Sequence, residues 1–187
     1  MISIEESGYE KIIKKILLRI RGEVPLEKLK SRGMKVGTNF WYGDECTFDV
    51  SHCWLISIGN NVTFSSRVHL LAHDASLKKM IGYAKIGLIN IGNGVFVGAG
   101  ATIMPNVSIG DNAVIGAGSV VTKSIPSGEV WGVPAKYICK CEYLKNKYEN
   151  KNVPIFDESY TVHGKITDEK KIEMINILSE KGIGLIK

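Results

Sequence analysis

The sequence lacks most of the features that would assign it to a class at once. It has no apolar run near the roughly 18 residues that a membrane-spanning helix requires. Its first 24 residues carry acidic side chains before the basic ones and no small-residue cleavage site, which is not the pattern of a signal peptide. The chain has only four cysteines, and their spacing matches neither a zinc site nor a thioredoxin-like motif. These absences predict a cytoplasmic protein with reduced thiols.

A concentrated block of like charge is also missing. The net charge is +5, but the lysines are spread along the chain. This balance favours anionic ligands such as phosphates and is too weak to indicate nucleic acid. Aromatic and basic residues are not interleaved as in single-strand-binding proteins. With 187 residues, 44% of them hydrophobic, the chain is expected to form one globular domain.

What the sequence does contain is an aliphatic side chain at every sixth residue: Ile91, Val97, Ile103, Ile109, Ile115 and Val121. The same register includes Ile58, Phe64 and Leu70, and more loosely Val36, Tyr42 and Phe48. A period of six fits neither a helix nor a simple alternating strand. It fits a coil of short strands with a tight corner in each repeat, where glycine, asparagine and aspartate tolerate positive φ. The pattern therefore predicts a solenoid whose core is a column of these aliphatic side chains.

Three regions follow from this pattern. Residues 1–35 are predicted to form an N-terminal helical cap that packs on the body, with contact to an anionic membrane surface as the alternative. Residues 36–138 form the coil, which residues 74–88 interrupt as a loop of the kind that often carries function. Residues 139–187 form an extension whose helix begins after Thr167 and ends at Gly182. Its predicted apolar stripe, Ile172, Ile175 and Leu178, would dock on the coil or on a neighbouring subunit.

The repeat "[ILV]-G-x-x-[VA]-x" and the stretch "VIGAGSVVTKSIPSGEVWGVPAKYI" resemble the hexapeptide-repeat acyltransferases. Within that family the chain is most similar to the maltose, galactoside and polysaccharide O-acetyltransferases. The resemblance implies a mainly β fold, a left-handed parallel β-helix of about five turns with short terminal helices and one extruded loop. It also implies a homotrimer with active sites between subunits, acetyl-CoA as co-substrate and no metal.

His73 is the candidate catalytic residue, because the family places its base just before the loop. Near pH 7 an imidazole can take the proton of an attacking hydroxyl and return it to the departing thiolate. A lone histidine is more often structural, but the family match favours catalysis. Asp74 follows directly and is predicted to be a loop-turn residue or an acceptor contact. The group that orients the imidazole stays open at this point, with a backbone carbonyl as one candidate.

Candidate acceptor contacts precede the loop. Asp49 and His52 offer hydrogen bonds to sugar hydroxyls, and Trp54 offers an indole for a sugar face, although a core or subunit-interface position for Trp54 is an equal alternative. Small residues let pantetheine approach the backbone, and lysines attract its phosphates. By motif match the coenzyme contacts are Ala99, Ala117, Thr122, Lys123 and Lys136. The alanines also suit tight corners for purely structural reasons.

Other functions fit parts of the same pattern. An N-acetyltransferase of an amino sugar would share the coil and the coenzyme. A zinc-dependent carbonic anhydrase of this architecture needs three histidines, and only His69 and His73 lie close together in the repeats. A non-catalytic scaffold needs neither the His73 loop nor Lys123. The sequence is therefore interpreted as an O-acetyltransferase acting on a sugar or polysaccharide precursor.

Overall fold

Short parallel strands follow one another at six-residue intervals through most of the structure. The computed structural model describes residues 24–132, 148 and 152–187, so most of the predicted N-terminal cap lies outside the described residues. A helix, α1 (Leu26–Ser31), precedes the coil. The first turn consists of β1 (Lys35–Val36), β2 (Trp41–Tyr42) and β3 (Thr47–Phe48). The second consists of β4 (Ile56–Ile58), β5 (Thr63–Phe64) and β6 (His69–Leu70).

The coil then gives way to an excursion before it resumes. The excursion contains β7 (His73–Asp74), a short 3-10 turn, α2 (Lys78–Ile81) and β8 (Ala84–Ile86). The third turn consists of β9 (Ile89–Ile91), β10 (Phe96–Val97) and β11 (Thr102–Ile103). The fourth consists of β12 (Val107–Ile109), β13 (Val114–Ile115) and β14 (Val120–Val121). Part of a fifth turn follows, with Ile125 bridged to Ile109 and β15 (Val130–Trp131) paired with β13.

Equivalent strands of successive turns pair in parallel and form the three faces of the prism. Sheet A has the order β1-β4-β9-β12, sheet B β15-β13-β10-β5-β2, and sheet C β14-β11-β6-β3. The six-residue register is kept across all of them, since Val97 lies opposite Phe64 and Ile115, and Ile103 lies opposite Leu70 and Val121. The predicted fold class, a mainly β parallel coil with short helices, is confirmed.

The side chains at the six-residue positions fill the axis of the coil. From Ile58 to Val121 all of them are buried. Their corners use the predicted residue types, with positive φ at Asn61 (55°), Gly94 (66°) and Asn112 (58°). The first turn is looser because it ends the column. There Phe40, Tyr42 and Phe48 form a cluster of rings, and Phe40 lies edge-on to Phe64 with the ring centroids 5.0 Å apart.

Both interruptions of the repeat lie at the same corner, between sheet C and sheet A. In the third turn this corner takes only residues 104–106, between β11 and β12. In the first turn it takes residues 49–55, which include a 3-10 helix at Cys53–Leu55. In the second turn it takes residues 71–88, the excursion described above. Because these turns are adjacent, the two insertions lie against each other along one edge of the prism.

The C-terminal segment packs on this edge. It contains β16 (Ile155–Phe156), a 3-10 turn at Glu158–Tyr160, α3 (Asp168–Lys181) and β17 (Gly184–Ile186). The helix starts after Thr167, whose hydroxyl accepts a hydrogen bond from the Lys170 N–H, and stops at Gly182. Strands β16, β17, β8 and β7 form a fourth sheet in that order.

The buried face of α3 agrees with the predicted stripe at Leu178 and, partly buried, at Ile175, and differs from it at Ile172. Met174 and Leu178 are buried, whereas Ile172 is 60% exposed. The buried face is rotated about the helix axis relative to the prediction, because Met174 packs against Trp54, which lies 120 positions away in the sequence. None of the helices in the described part of the chain has the length and hydrophobicity needed to cross a bilayer.

Candidate functional site

The two insertions place three polar side chains side by side at the edge of the prism. Asp49 follows β3, His52 lies at the start of the 3-10 helix, and His73 begins β7. The rings of His52 and His73 have their centroids 5.2 Å apart. Asp49 lies against both, because the corners of successive turns stack on each other.

Asp49 is buried, and its carboxylate accepts four hydrogen bonds. Oδ1 accepts from the backbone N–H groups of Ser51 (3.1 Å) and His52 (3.0 Å). Oδ2 accepts from His73 twice, from the backbone N–H at 2.8 Å and from Nδ1 at 2.5 Å. Burial alone would raise the pKa of this carboxyl, but hydrogen bonding to His52 and His73 outweighs it and holds the pKa well below its usual range. Asp49 is therefore an anion at neutral pH.

The ionised carboxylate fixes the state of the His73 ring. Because an ionised carboxylate can only accept, the proton between the two groups belongs to Nδ1 of His73. Nε2 then carries the free lone pair, and 38% of the His73 side chain is exposed. The hydrogen bond to Asp49 raises the pKa of His73, against the lowering effect of burial. The arrangement can take a proton at Nε2 and stabilise the imidazolium that results.

His52 is buried, and neither of its ring nitrogens has a hydrogen-bond partner. Its Nδ1 lies 3.8 Å from Oδ1 of Asp49, too far for a normal hydrogen bond. The ring packs between His73 and Trp54, whose ring centroid is 5.4 Å away. A buried polar group without a partner lowers the free energy of unfolding by roughly 1–3 kcal/mol. His52 therefore destabilises the fold at the position where it contacts the Asp49–His73 pair.

Asp74 belongs to the turn that the sequence suggested. Its side chain caps the 3-10 helix by accepting from the Ser76 N–H at 2.8 Å and forms an ion pair with Lys85 at 2.5 Å. Burial raises the pKa of Asp74, but the Lys85 ammonium outweighs it and the net shift is downward. Asp74 therefore braces β7 against β8 and does not hydrogen-bond the His73 ring.

Three of the predicted acceptor contacts, Asp49, His52 and Trp54, are buried in the structure. Asp49 is enclosed, and all its hydrogen bonds are made to the protein, so it orients His73 instead of facing a sugar. Trp54 is buried between His52 and α3, and its Nε1–H donates to Sδ of Met174 at 3.2 Å. This is the core position that the sequence left as an alternative. His52 is enclosed between Trp54 and His73, so none of the three side chains presents a surface to an acceptor.

The coenzyme candidates lie on both edges of sheet C. Ala99 and Ala117 occupy equivalent corners of the third and fourth turns, where the Gly118 N–H donates to the Ala99 carbonyl at 2.8 Å. Thr122 and Lys123 are exposed and follow β14 at the corner that also carries His73. Two strand spacings separate that corner in the second and fourth turns, about 10 Å. Lys136 lies outside the described residues.

Asp49, His52 and His73 also form a set that could hold a metal ion, since their potential ligand atoms lie within 4.8 Å of one another. The carboxylate oxygens already accept four protein hydrogen bonds, so a metal would have to displace the His73 contact. His69 is not part of this set, and its Nδ1 lies 2.5 Å from the Thr47 hydroxyl. Within the described residues of a single chain, the three-histidine set of a carbonic anhydrase is not formed.

The residue that sequence reasoning misplaced is the partner of His73. The sequence did contain a signal for this pairing. Phe48 and Leu70 are equivalent positions of successive turns. Asp49 directly follows Phe48, and His73 lies three residues after Leu70. Residues that follow equivalent positions share a corner. The unequal insertions hid this relation, because Asp49 and His73 are separated by 24 residues, more than a regular 18-residue turn.

A parallel coil with a six-residue repeat is the architecture of the hexapeptide-repeat proteins, and here its edge carries an exposed imidazole held by a buried carboxylate. The comparisons agree. The family described as bacterial transferase hexapeptide (six repeats) matches residues 89–123. Protein CapG of Staphylococcus aureus is 38% identical over 176 residues, which cover 90% of this chain and 98% of CapG. The chain belongs to the hexapeptide-repeat acyltransferase family, whose fold is the left-handed parallel β-helix, and it is an acyltransferase.

Two solved structures are similar over part of the chain. A maltose O-acetyltransferase from Clostridium difficile 630 is 39% identical, with a TM-score of 0.48 over 58% of this chain and 59% of that one. The serine acetyltransferase of Neisseria gonorrhoeae is 30% identical, with a TM-score of 0.43 over 58% of this chain and 38% of that one. The chain thus spans less than two thirds of either enzyme.

Proposed function

We propose that this enzyme transfers an acetyl group from acetyl-CoA to a hydroxyl of a sugar or polysaccharide precursor, with His73 as general base. The observation that carries the proposal is the Asp49–His73 pair, which leaves Nε2 of His73 as an exposed proton acceptor. The motif at residues 114–138, which resembles the sugar O-acetyltransferases, supports the choice of donor and acceptor class.

The reaction needs one proton acceptor and no covalent enzyme intermediate. Nε2 takes the proton as the acceptor oxygen bonds to the thioester carbonyl carbon. The carbon–sulfur bond then breaks, and the imidazolium returns the proton to the thiolate, which gives the acetyl ester and free CoA. Asp49 stabilises the imidazolium between these steps and keeps the tautomer and orientation fixed. General base catalysis of this kind contributes about 10²–10⁴-fold.

We further propose that Ala99, Ala117, Thr122 and Lys123 line the coenzyme path. The small side chains of Ala99 and Ala117 let a thin ligand approach the backbone closely, and Lys123 offers positive charge on the edge that carries His73. The path follows sheet C, whose outward side chains are Thr47, His69, Thr102 and Val120.

A homotrimer is part of the same proposal. The outward side chains of sheet B form one ladder in register, Trp41, Thr63, Phe96, Val114 and Val130. Trp41, Phe96 and Val130 are 60%, 42% and 76% exposed. A flat face on which several large apolar side chains are this exposed is typical of a subunit interface.

A thiol-release assay with acetyl-CoA and a panel of sugars, amino sugars and nucleotide-sugars tests the function. We expect turnover with hydroxyl acceptors and a product that hydroxylamine cleaves, since esters are labile and amides are not. The His73→Ala variant is expected to keep coenzyme binding and lose on the order of 100-fold or more in rate.

Three results would redirect the assignment. Turnover restricted to amines, with a hydroxylamine-stable product, would make the enzyme an N-acetyltransferase. Full activity of His73→Ala would remove the base assignment. Stoichiometric zinc in the purified protein, with carbon dioxide hydration in place of thiol release, would support the carbonic anhydrase reading.

A further inference from the structure

The C-terminal segment is joined by backbone pairing to the strand that carries His73. Strand β17 pairs antiparallel with β8, with Gly184 opposite Ile86 and Leu185 opposite Lys85. Strand β8 in turn pairs antiparallel with β7, with Ile86 opposite His73. The base therefore lies on the edge strand of a four-stranded sheet, and half of that sheet comes from residues 155–186.

A second contact reaches the other side of the site. Met174 of α3 is buried, and its sulfur accepts the Trp54 Nε1–H at 3.2 Å. Trp54 packs on His52, and His52 packs on His73. This series of contacts leads from α3 to the Asp49–His73 pair without passing through the fourth sheet.

The two contacts matter because the excursion is weakly supported without them. An isolated two-stranded hairpin is marginally stable at best in water, so the stability of β7 and β8 depends on what packs against them. Two further strands and the helix change this, since Phe156, Met174, Leu178 and Ile186 are buried in one core with Ile86. The fit is close at Gly184, where an added Cβ would lie 2.8 Å from Cε2 of Phe156 and 3.0 Å from Cδ2 of Leu178.

We propose that the C-terminal segment 152–187 positions the catalytic base, with Met174 and Gly184 as positioning residues that act on His73 through Trp54 and through β8. The proposal rests on the function assigned above in treating His73 as the base. It predicts that loosening either contact changes the chemical step more than substrate binding, because neither residue lies at the exposed face of the His73 ring.

Two substitutions loosen the contacts separately. Met174→Leu keeps nearly the same volume and removes the sulfur acceptor, and swaps of this kind are usually well tolerated in cores. Gly184→Ala forces Phe156 and β17 apart by a fraction of an ångström. Ile172→Ala is the matched control, because it changes an exposed side chain on the same helix. For each variant the measurements are kcat, KM for acetyl-CoA, thermal midpoint and the titration of the His73 ring by NMR.

We expect kcat to fall by on the order of 10-fold in both variants, with KM within about twofold, since a full 1 Å displacement of a catalytic group can cost 100-fold. The His73 titration should move to lower pH, toward the ordinary histidine value, as the hydrogen bond to Asp49 lengthens. Ile172→Ala should match the wild type in every measurement.

A lower thermal midpoint with unchanged kcat and an unchanged His73 titration would overturn the proposal, because the segment would then only stabilise the fold. Failure of the function itself is distinguishable. If the wild type released no thiol with any acceptor, or if His73→Ala kept full activity, the assignment of the base would fail. The NMR titration would still show whether the segment holds the Asp49–His73 pair.

Discussion

The regular coil and its two insertions obey different rules, although they lie on one continuous chain. In the coil the side chains at the six-residue positions from Ile58 to Val121 are apolar and pack on their equivalents one turn away, as Val97 does on Phe64 and Ile115. In the insertions the buried set includes Asp49 and His52, which are polar, and no repeat relates them. The coil therefore provides stability through repetition, whereas the insertions use that stability to hold groups that would not fold into such positions alone.

The largest effect is expected from a substitution on the outer face of sheet B, the proposed subunit interface. Phe96→Asp places a charge in the middle of the apolar ladder on sheet B, where burial of an unpaired carboxylate is costly. We expect the proposed trimer to dissociate and activity to be lost with it, because the resemblance to the acyltransferase family implies active sites between subunits. Light scattering or sedimentation gives the mass. Asn90→Asp is the control, since it adds the same charge in the same turn on sheet A. An unchanged mass for Phe96→Asp would move the interface to another face.

The second-largest effect is expected from a substitution in the insertions, at Asp49. Asp49→Asn removes the charge that fixes the His73 tautomer and places an NH₂ group among donors, so we expect kcat/KM to fall by on the order of 100-fold. Asp49 raises the pKa of His73, and the base must be neutral to accept a proton. Wild-type kcat/KM should therefore rise with increasing pH, with an inflection above the ordinary histidine pKa of about 6.5. Without the carboxylate that inflection should move to lower pH.

The control for this change is Asp111→Asn, which alters an exposed aspartate at a corner of sheet A and should leave the pH profile as it is. An Asp49→Asn profile with the wild-type inflection would mean that another group sets the pKa of the base.

This contrast also explains how much the sequence could predict. In the coil the tertiary neighbour of each residue is an equivalent residue of the next turn, so the pattern from Ile58 to Val121 contained the contacts as well as the strands. The insertions offer no such relation. Asp49 was assigned to the acceptor and proved to be the partner of His73. Ile172 was predicted to lie on the docking face of α3 with Leu178, but Met174 packs there in its place. The sequence did not indicate this, because its partner Trp54 lies in an insertion far away along the chain.

A smaller effect tests the coil without touching the site. At Gly59 an added Cβ would lie 2.7 Å from the backbone of Gly92, so Gly59→Ala forces two turns apart. We expect the free energy of unfolding to fall by about 1–3 kcal/mol, as in other overpacked sites, with unchanged kcat per folded molecule. Gly128→Ala is the paired variant, because its φ is +74° with no atom within 4 Å. At Gly128 the loss in the free energy of unfolding comes from backbone strain alone and is expected to be roughly 1–2 kcal/mol. A large loss of kcat in Gly59→Ala would show that the coil transmits strain to the site.

The smallest effect concerns His52, where the two regions meet. Its ring nitrogens are buried without partners, so His52→Leu removes an unsatisfied group from the core and should leave the thermal midpoint unchanged or raise it. Leucine has no polar atom to place beside Asp49, and it fills the space between Trp54 and His73 differently. We therefore expect kcat to fall by about two- to fivefold, which is a rise of less than about 1 kcal/mol in the activation free energy. His163→Leu, the same change at an exposed site, should alter neither quantity.

A thermal midpoint of His52→Leu several degrees below that of the wild type would show that the ring nitrogens of His52 are satisfied, for instance by an enclosed water. A 100-fold loss of kcat would place His52 in the proton transfer itself, because filling space next to a base does not account for an effect of that size.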